Sequence, residues 1–219
     1  MIRAIQGGFF DDEKHEYADA DGKFVPSCTQ IISLVKYSNF DGIPEHVVAN
    51  AGRRGGNCHW LTEVYDTEGD VPPPWTPREE IIRFEGYRKW KDEKKFIPDK
   101  VEYPTVVSVY GMKYGVTLDR TGTIDGQKAI VELKFTYSPS KSWGPQTASQ
   151  EMALTGSATI GQYLRVVCHV DSKGKHNTIY CRDPQDAQRF IFALGVVWTR
   201  IDMGQNVRKE ILGLGVDDE

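Results

Sequence analysis

Within "YGVTLDRTGTIDGQKAIVELK", residues 114–134, the dipeptide Asp125-Gly126 separates two runs that alternate apolar and polar side chains. Asp-Gly is among the strongest two-residue hairpin signals, because a type I′ turn needs positive φ at both central residues. With that loop, Ile124 faces Gln127 and Asp119 faces Glu132. Side chains alternate across a strand. One face therefore carries Thr117, Asp119, Thr121 and Thr123 against Lys128, Ile130, Glu132 and Lys134. The reverse face carries Val116, Leu118, Ile124, Ala129, Val131, Leu133 and Phe135 and reads as core, with Arg120 its charged exception.

Carboxylates directly opposite one another bring their Cβ atoms to ~5 Å, and like charges at that spacing destabilise a sheet. A shared proton offsets the repulsion; so does a bound divalent cation with Lys134 beside it. Hard cations such as Mg²⁺ take one or two protein carboxylates and complete their shell with water and phosphate oxygens. The plainer reading is a surface hairpin whose acids are solvated, with Lys134 relieving Glu132. Asp125 is explained by its turn, which leaves Asp119 as the aspartate of interest.

The flanking pattern predicts an α/β chain. Residues 9–25 read as an edge hairpin turning at "DADGK", and Pro26-Ser27 precede a short apolar helix in "PSCTQIISLVKYS". Helical periodicity runs from Pro44 to about Asp66, interrupted by "GRRGG", with His59 and Glu63 one turn apart. After the stiff connector "VPPPWTP", residues 78–96 read as an amphipathic helix. Strands follow in "KVEYPTVVSVYG" and the hairpin, then a helix opening at Pro145-Gln146, two strands around "DSKGKHN" and a helix over 184–201. That order predicts a central mixed sheet flanked by helices, in a single domain over 1–219.

Composition narrows the function classes. Cys28, Cys58, Cys168 and Cys181 are widely spaced and form no C-x-x-C pair, so neither a zinc signature nor a dense disulfide framework is present. The start lacks the basic and apolar regions of a signal peptide, and no window reaches the roughly 18 apolar residues of a membrane span. A cytoplasmic location and no membrane association are expected. The net charge of −4 weighs mildly against nucleic acid, although a local basic channel can coexist with an acidic exterior. Arg53, Arg54, Lys134 and Lys141 are candidates to line one.

Taken in order, "RRGGNCHWLTE", "YGVTLDR", "VELK" and "PQTASQ" resemble the PD-(D/E)XK nuclease superfamily, and within it the RecB-like branch that includes phage-type exonucleases. "HEYADADGKFVPSCTQII" and "DAQRFIFALGVVWTR" are similar to the entry segment and closing helix of phage-encoded members. The resemblance implies a restriction-endonuclease-like core and metal-dependent hydrolysis of DNA, with endonuclease action or a non-catalytic DNA-binding subunit as alternatives. It implies that His59, Asp119, Glu132 and the carbonyl of Leu133 hold one or two Mg²⁺ or Mn²⁺ ions. Catalysis would fall to Asp119, Glu132, Lys134 and Gln146, with Lys134 positioning or deprotonating water at a lowered pKa. Glu102 and Glu63 would stand behind the ligands, and Arg53, Arg54, Lys141, Trp143 and Gln150 would meet DNA. Gln150 departs from the Tyr usual at its position. The implied partners are DNA, a single-strand annealing protein and further copies of the chain in a ring, in the host cytoplasm for a phage-encoded protein.

Overall fold

A computed structural model describes residues 1–35 and 44–211. An antiparallel meander opens the chain: β1 (Ile2–Ile5), β2 (Gly8–Asp11), β3 (Glu16–Asp19) and β4 (Phe24–Val25). Helices α1 (Cys28–Leu34), α2 (Glu45–Glu68) and α3 (Arg78–Glu93) follow, then strands β5 (Ile97–Val109), β6 (Met112–Ile124) and β7 (Gln127–Lys134). The described chain closes with α4 (Trp143–Thr155), β8 (Leu164–Val170), β9 (His176–Tyr180), α5 (Asp186–Asp202) and α6 (Val207–Ile211).

Asp125 and Gly126 take φ values of 49° and 80°, the left-handed pair of a type I′ turn. The predicted register follows, with Ile124 opposite Gln127 and Arg120 opposite Val131. Tyr110 and Gly111, at 52° and 81°, turn β5 into β6 in the same manner. β7 then pairs in parallel with β8. A parallel pair needs a long crossover, and α4 supplies it. The resulting sheet has the order β5-β6-β7-β8-β9 and is mixed. Residues of α2 and α3 pack on one side of it and residues of α1, α4 and α5 on the other. The expected α/β class with a helix-flanked mixed sheet is what forms.

Three local expectations change. The N-terminal segment is a four-stranded meander and not a lone hairpin. Its first strand is short and mostly exposed, so burial leaves no alternation to read there. The "GRRGG" stretch does not interrupt α2. A helical glycine costs about 1 kcal/mol relative to alanine, and buried Cys58, Leu61 and Thr62 anchor the turns that follow. The apolar residues of β6 are also divided between two clusters. Tyr114, Val116 and Leu118 pack with α1, α4 and α5, whereas Ile124 joins α2 and α3. The changeover falls at Asp119-Arg120, level with Glu102, which has a φ of 43° between the paired residues Val101 and Tyr103. Residues 36–38 of the predicted first helix lie outside the described residues; Ser27 caps the rest through a capping box with Gln30.

The meander docks on the strand that carries Asp119. Isolated bridges join Gln6 to Thr105 and Ser27 to Gly115, and Tyr17 hydroxyl lies 2.5 Å from Thr117 Oγ1. The Tyr17 ring covers Gly115 so closely that a Cβ there would come within 2.1 Å of Cγ. Gly115→Ala is therefore expected to destabilise the protein by about 1–3 kcal/mol, the range for overpacking a filled site. Denaturant unfolding followed by tyrosine and tryptophan fluorescence measures it, and an unchanged midpoint would contradict this packing.

Candidate metal centre

Asp119 lies where β6 and β7 part. Beyond the pair Arg120–Val131, the Leu133 N–H donates to Asp119 Oδ2 at 2.7 Å. A side-chain carboxylate thus closes the ladder, which keeps the buried amide satisfied and holds the acid in one orientation. From α2, His59 brings Nδ1 to 3.4 Å from Glu102 Oε1 and 3.8 Å from Asp119 Oδ2. The ring of Phe135 lies 5.5 Å from the imidazole between centroids, nearly perpendicular to it. Ligand atoms of His59, Glu102 and Asp119 all fall within 4.8 Å of one another. One imidazole nitrogen and hard carboxylate oxygens, without a thiolate, make a donor set that could hold a metal ion.

Glu132 sits beside this group with its own set of donors. Its Oε1 accepts from Gln146 Nε2 at 2.6 Å and pairs with Lys134 Nζ at 2.7 Å. Its Oε2 accepts from Gln150 Nε2. Helix α4 explains this arrangement: Gln146 and Gln150 are one turn apart on its sheet-facing side, and both are buried.

The electrostatics follow from crowding acids in a buried place. Burial pushes the Asp119 carboxyl well above the ordinary range, and neighbouring Glu132 raises it further. Burial opposes a charged His59, but Asp119 and Glu102 outweigh it and the imidazole pKa rises. For Glu102, burial pushes upward and is overcome by His59 and Arg120, so its pKa falls. Burial raises Glu63, one turn beyond His59, with Glu102 adding to the rise. Lys134 corrects an expectation. Burial alone would lower it, yet Glu132 and Asp119 hold its ammonium above the usual value.

The remaining predicted residues divide by position. Gln150 is fully buried against Glu132, so it presents no surface to DNA. Trp143 is also buried, its ring 5.4 Å from that of His169, where it caps the core. Lys141 and Arg53 are exposed, while Arg54 lies 3.6 Å from Glu79 on α3. Leu133 joins the site through its N–H.

One named residue takes a different place, and one participant escaped the sequence reading. Glu102, expected behind the ligands, brings a carboxylate oxygen within 4.8 Å of the ligand atoms of His59 and Asp119. Arg120 is fully buried and donates to Asp66 Oδ2 at 2.6 Å, Glu102 Oε1 at 3.0 Å, Asp119 carbonyl at 2.6 Å and Thr62 Oγ1 at 3.0 Å. The signal available was a lone arginine on an apolar strand face, since a buried charge requires partners.

No protein-family model matches the chain, and no curated protein matches it. Among solved structures, it is similar to "Putative exonuclease" from Eubacterium rectale, with 8% identity over 74% of this chain and 69% of that one and a TM-score of 0.46. It is similar also to SSO0001, with 12% identity over 81% of this chain and 84% of that one and a TM-score of 0.36. Both likenesses are distant. Among the described residues no helix is long and apolar enough to cross a membrane.

The raised Asp119 carboxyl makes a pH-dependent prediction. An acid whose pKa is higher folded than unfolded favours folding while protonated, and stability falls as pH rises from the unfolded value through the folded one. Asp119→Asn keeps an acceptor for the Leu133 amide and removes that charge. The metal-free variant is expected to gain about 1–2 kcal/mol at pH 8 and little near pH 4. Urea midpoints measured in a chelator test this; a loss of stability at pH 8 would contradict it.

Proposed function

We propose that the chain is a metal-dependent nuclease that hydrolyses DNA phosphodiester bonds. The observation that supports it best is the convergence of His59, Glu102 and Asp119 at the parting of β6 and β7, beside Glu132 and Lys134; the PD-(D/E)XK resemblance gives His59, Asp119 and Glu132 as ligands, and Glu102 joins them here. Phosphodiester hydrolysis needs a water made nucleophilic near neutral pH and positive charge on the developing phosphorane oxygens; a bound Mg²⁺ or Mn²⁺ supplies both.

The chain's own residues have distinct parts in this reading. His59, Glu102 and Asp119 would hold the ion, with Glu132 and the Leu133 carbonyl available from the adjoining strand. Gln146 and Gln150 lock Glu132 in one rotamer. Lys134, paired with Glu132, is suited to donating a hydrogen bond to a phosphate oxygen or to a water. Exposed Arg53, less than two turns before His59, and Lys141 on the loop after β7 would meet the DNA backbone by charge.

Within this reading the resemblance favours an exonuclease of the phage recombination type, acting at DNA ends with a single-strand annealing protein as partner and further copies of the chain around the duplex. Incubation of end-labelled linear DNA and closed-circular plasmid with Mg²⁺, Mn²⁺ or a chelator tests it. Degradation of the linear form should require metal, spare the circle, fall by at least about 100-fold in Asp119→Ala and persist in Asp125→Asn, whose side chain lies exposed in the turn. Nicking of the circle would replace exonuclease with endonuclease. Cutting that ignores the chelator or survives Asp119→Ala would overturn the proposal.

A further inference from the structure

We propose that Arg120 is a positioning residue that holds the Glu102 carboxylate at the metal centre, and so sets metal affinity without touching the ion or DNA. The inference rests on reading the His59–Glu102–Asp119 group as a metal centre.

A guanidinium with no exposed surface, placed on an apolar strand, is costly unless its donors are spent. Here they are. Nη1 reaches both the Glu102 carboxylate at 3.0 Å and the Asp119 carbonyl at 2.6 Å. Nη2 donates to Thr62 Oγ1 at 3.0 Å, and Thr62 in turn donates to the His59 carbonyl at 2.8 Å. One side chain thus contacts, directly or through a single hydroxyl, each residue of the three-member group. Nε anchors the whole to Asp66 at 2.6 Å. Asp66, its side chain fully buried, also accepts from Tyr87 hydroxyl and Lys91 Nζ on α3, each at 2.6 Å.

The backbone agrees with this role. Glu102 holds a φ of 43° inside a strand, a conformation that persists only where the surroundings impose it. Arg120 meets its carboxylate there at 3.0 Å, closer than His59 at 3.4 Å, and Asp66 shares the charge of the guanidinium. Glu102 is therefore oriented without facing an unshared positive charge that would compete with an ion. Lysine in this place would keep the charge but lose the planar fork that spans Asp66, Glu102 and Thr62.

The test is Mn²⁺ binding to the whole chain by titration calorimetry, with thermal melts to verify folding. Arg120→Lys should weaken Mn²⁺ by about 10–100-fold, the scale for residues that orient metal ligands. The same substitution made on Glu102→Gln should add almost nothing, because the effect runs through Glu102. Should Arg120→Lys fail to fold, Thr62→Val removes one of its acceptors and should give a milder loss that likewise disappears on Glu102→Gln. A folded Arg120→Lys with wild-type Mn²⁺ affinity, or losses that add in full, would overturn the inference. Wild type that takes up no Mn²⁺ removes the metal centre and this role together, whereas Mn²⁺ uptake without DNA cleavage removes only the nuclease reading.

Discussion

The ion pair between Arg120 and Asp66, both with fully buried side chains, is the tie on which the rest of the site depends. It fastens β6 to α2, and through Tyr87 and Lys91 it reaches α3. Such a pair is weak support for stability, because desolvating two charges cancels most of their attraction. Its consequence is geometric. Breaking it would leave Arg120 with Glu102 as its remaining carboxylate and Asp66 with Lys91 as its remaining cation, so a buried network would be left incomplete. The hairpin, whose register the Asp125-Gly126 turn sets, is tied to α2 at the level where Asp119 and Glu102 face His59.

Around that tie the protein gathers carboxylates that repel one another. Asp119, Glu102 and Glu132 are balanced by His59, Arg120, Lys134 and two glutamine amides. The balance leaves Asp119 as the acid under greatest electrostatic pressure. Its carboxyl takes its single amide donor from Leu133, whereas Glu132 receives two amides and an ammonium. Burial raises both Asp119 and Glu63, and raised acids of this kind are common at functional sites.

Gln150 shows how a departure from a family pattern can preserve a physical role. The branch this sequence resembles usually carries Tyr at that position. Here an amide nitrogen of Gln150 donates to Glu132 from one turn beyond Gln146. The helix therefore still presents two donors to one carboxylate, and ring stacking against DNA is not needed to explain the residue.

The legible part of this structure was local. Asp125-Gly126 specified a type I′ turn because only certain residues tolerate positive φ at both positions, and the turn in turn specified the register from Ile124 to Arg120. The order of helices and strands followed from periodicity, and the spacing of His59, Asp119, Glu132 and Lys134 suggested a site. What the sequence withheld depends on long-range contact. Trp143 and Gln150 looked like surface residues until α4 folded onto the sheet and buried them. Arg120 looked like an exception until α2 supplied Asp66 and Thr62. Glu102, itself in the left-handed region between Val101 and Tyr103, joined His59 and Asp119 only once β5, β6 and α2 came together. Local preference acts over a few bonds and is written in neighbouring residues; the pairing of a buried charge is decided by whichever distant segment arrives beside it.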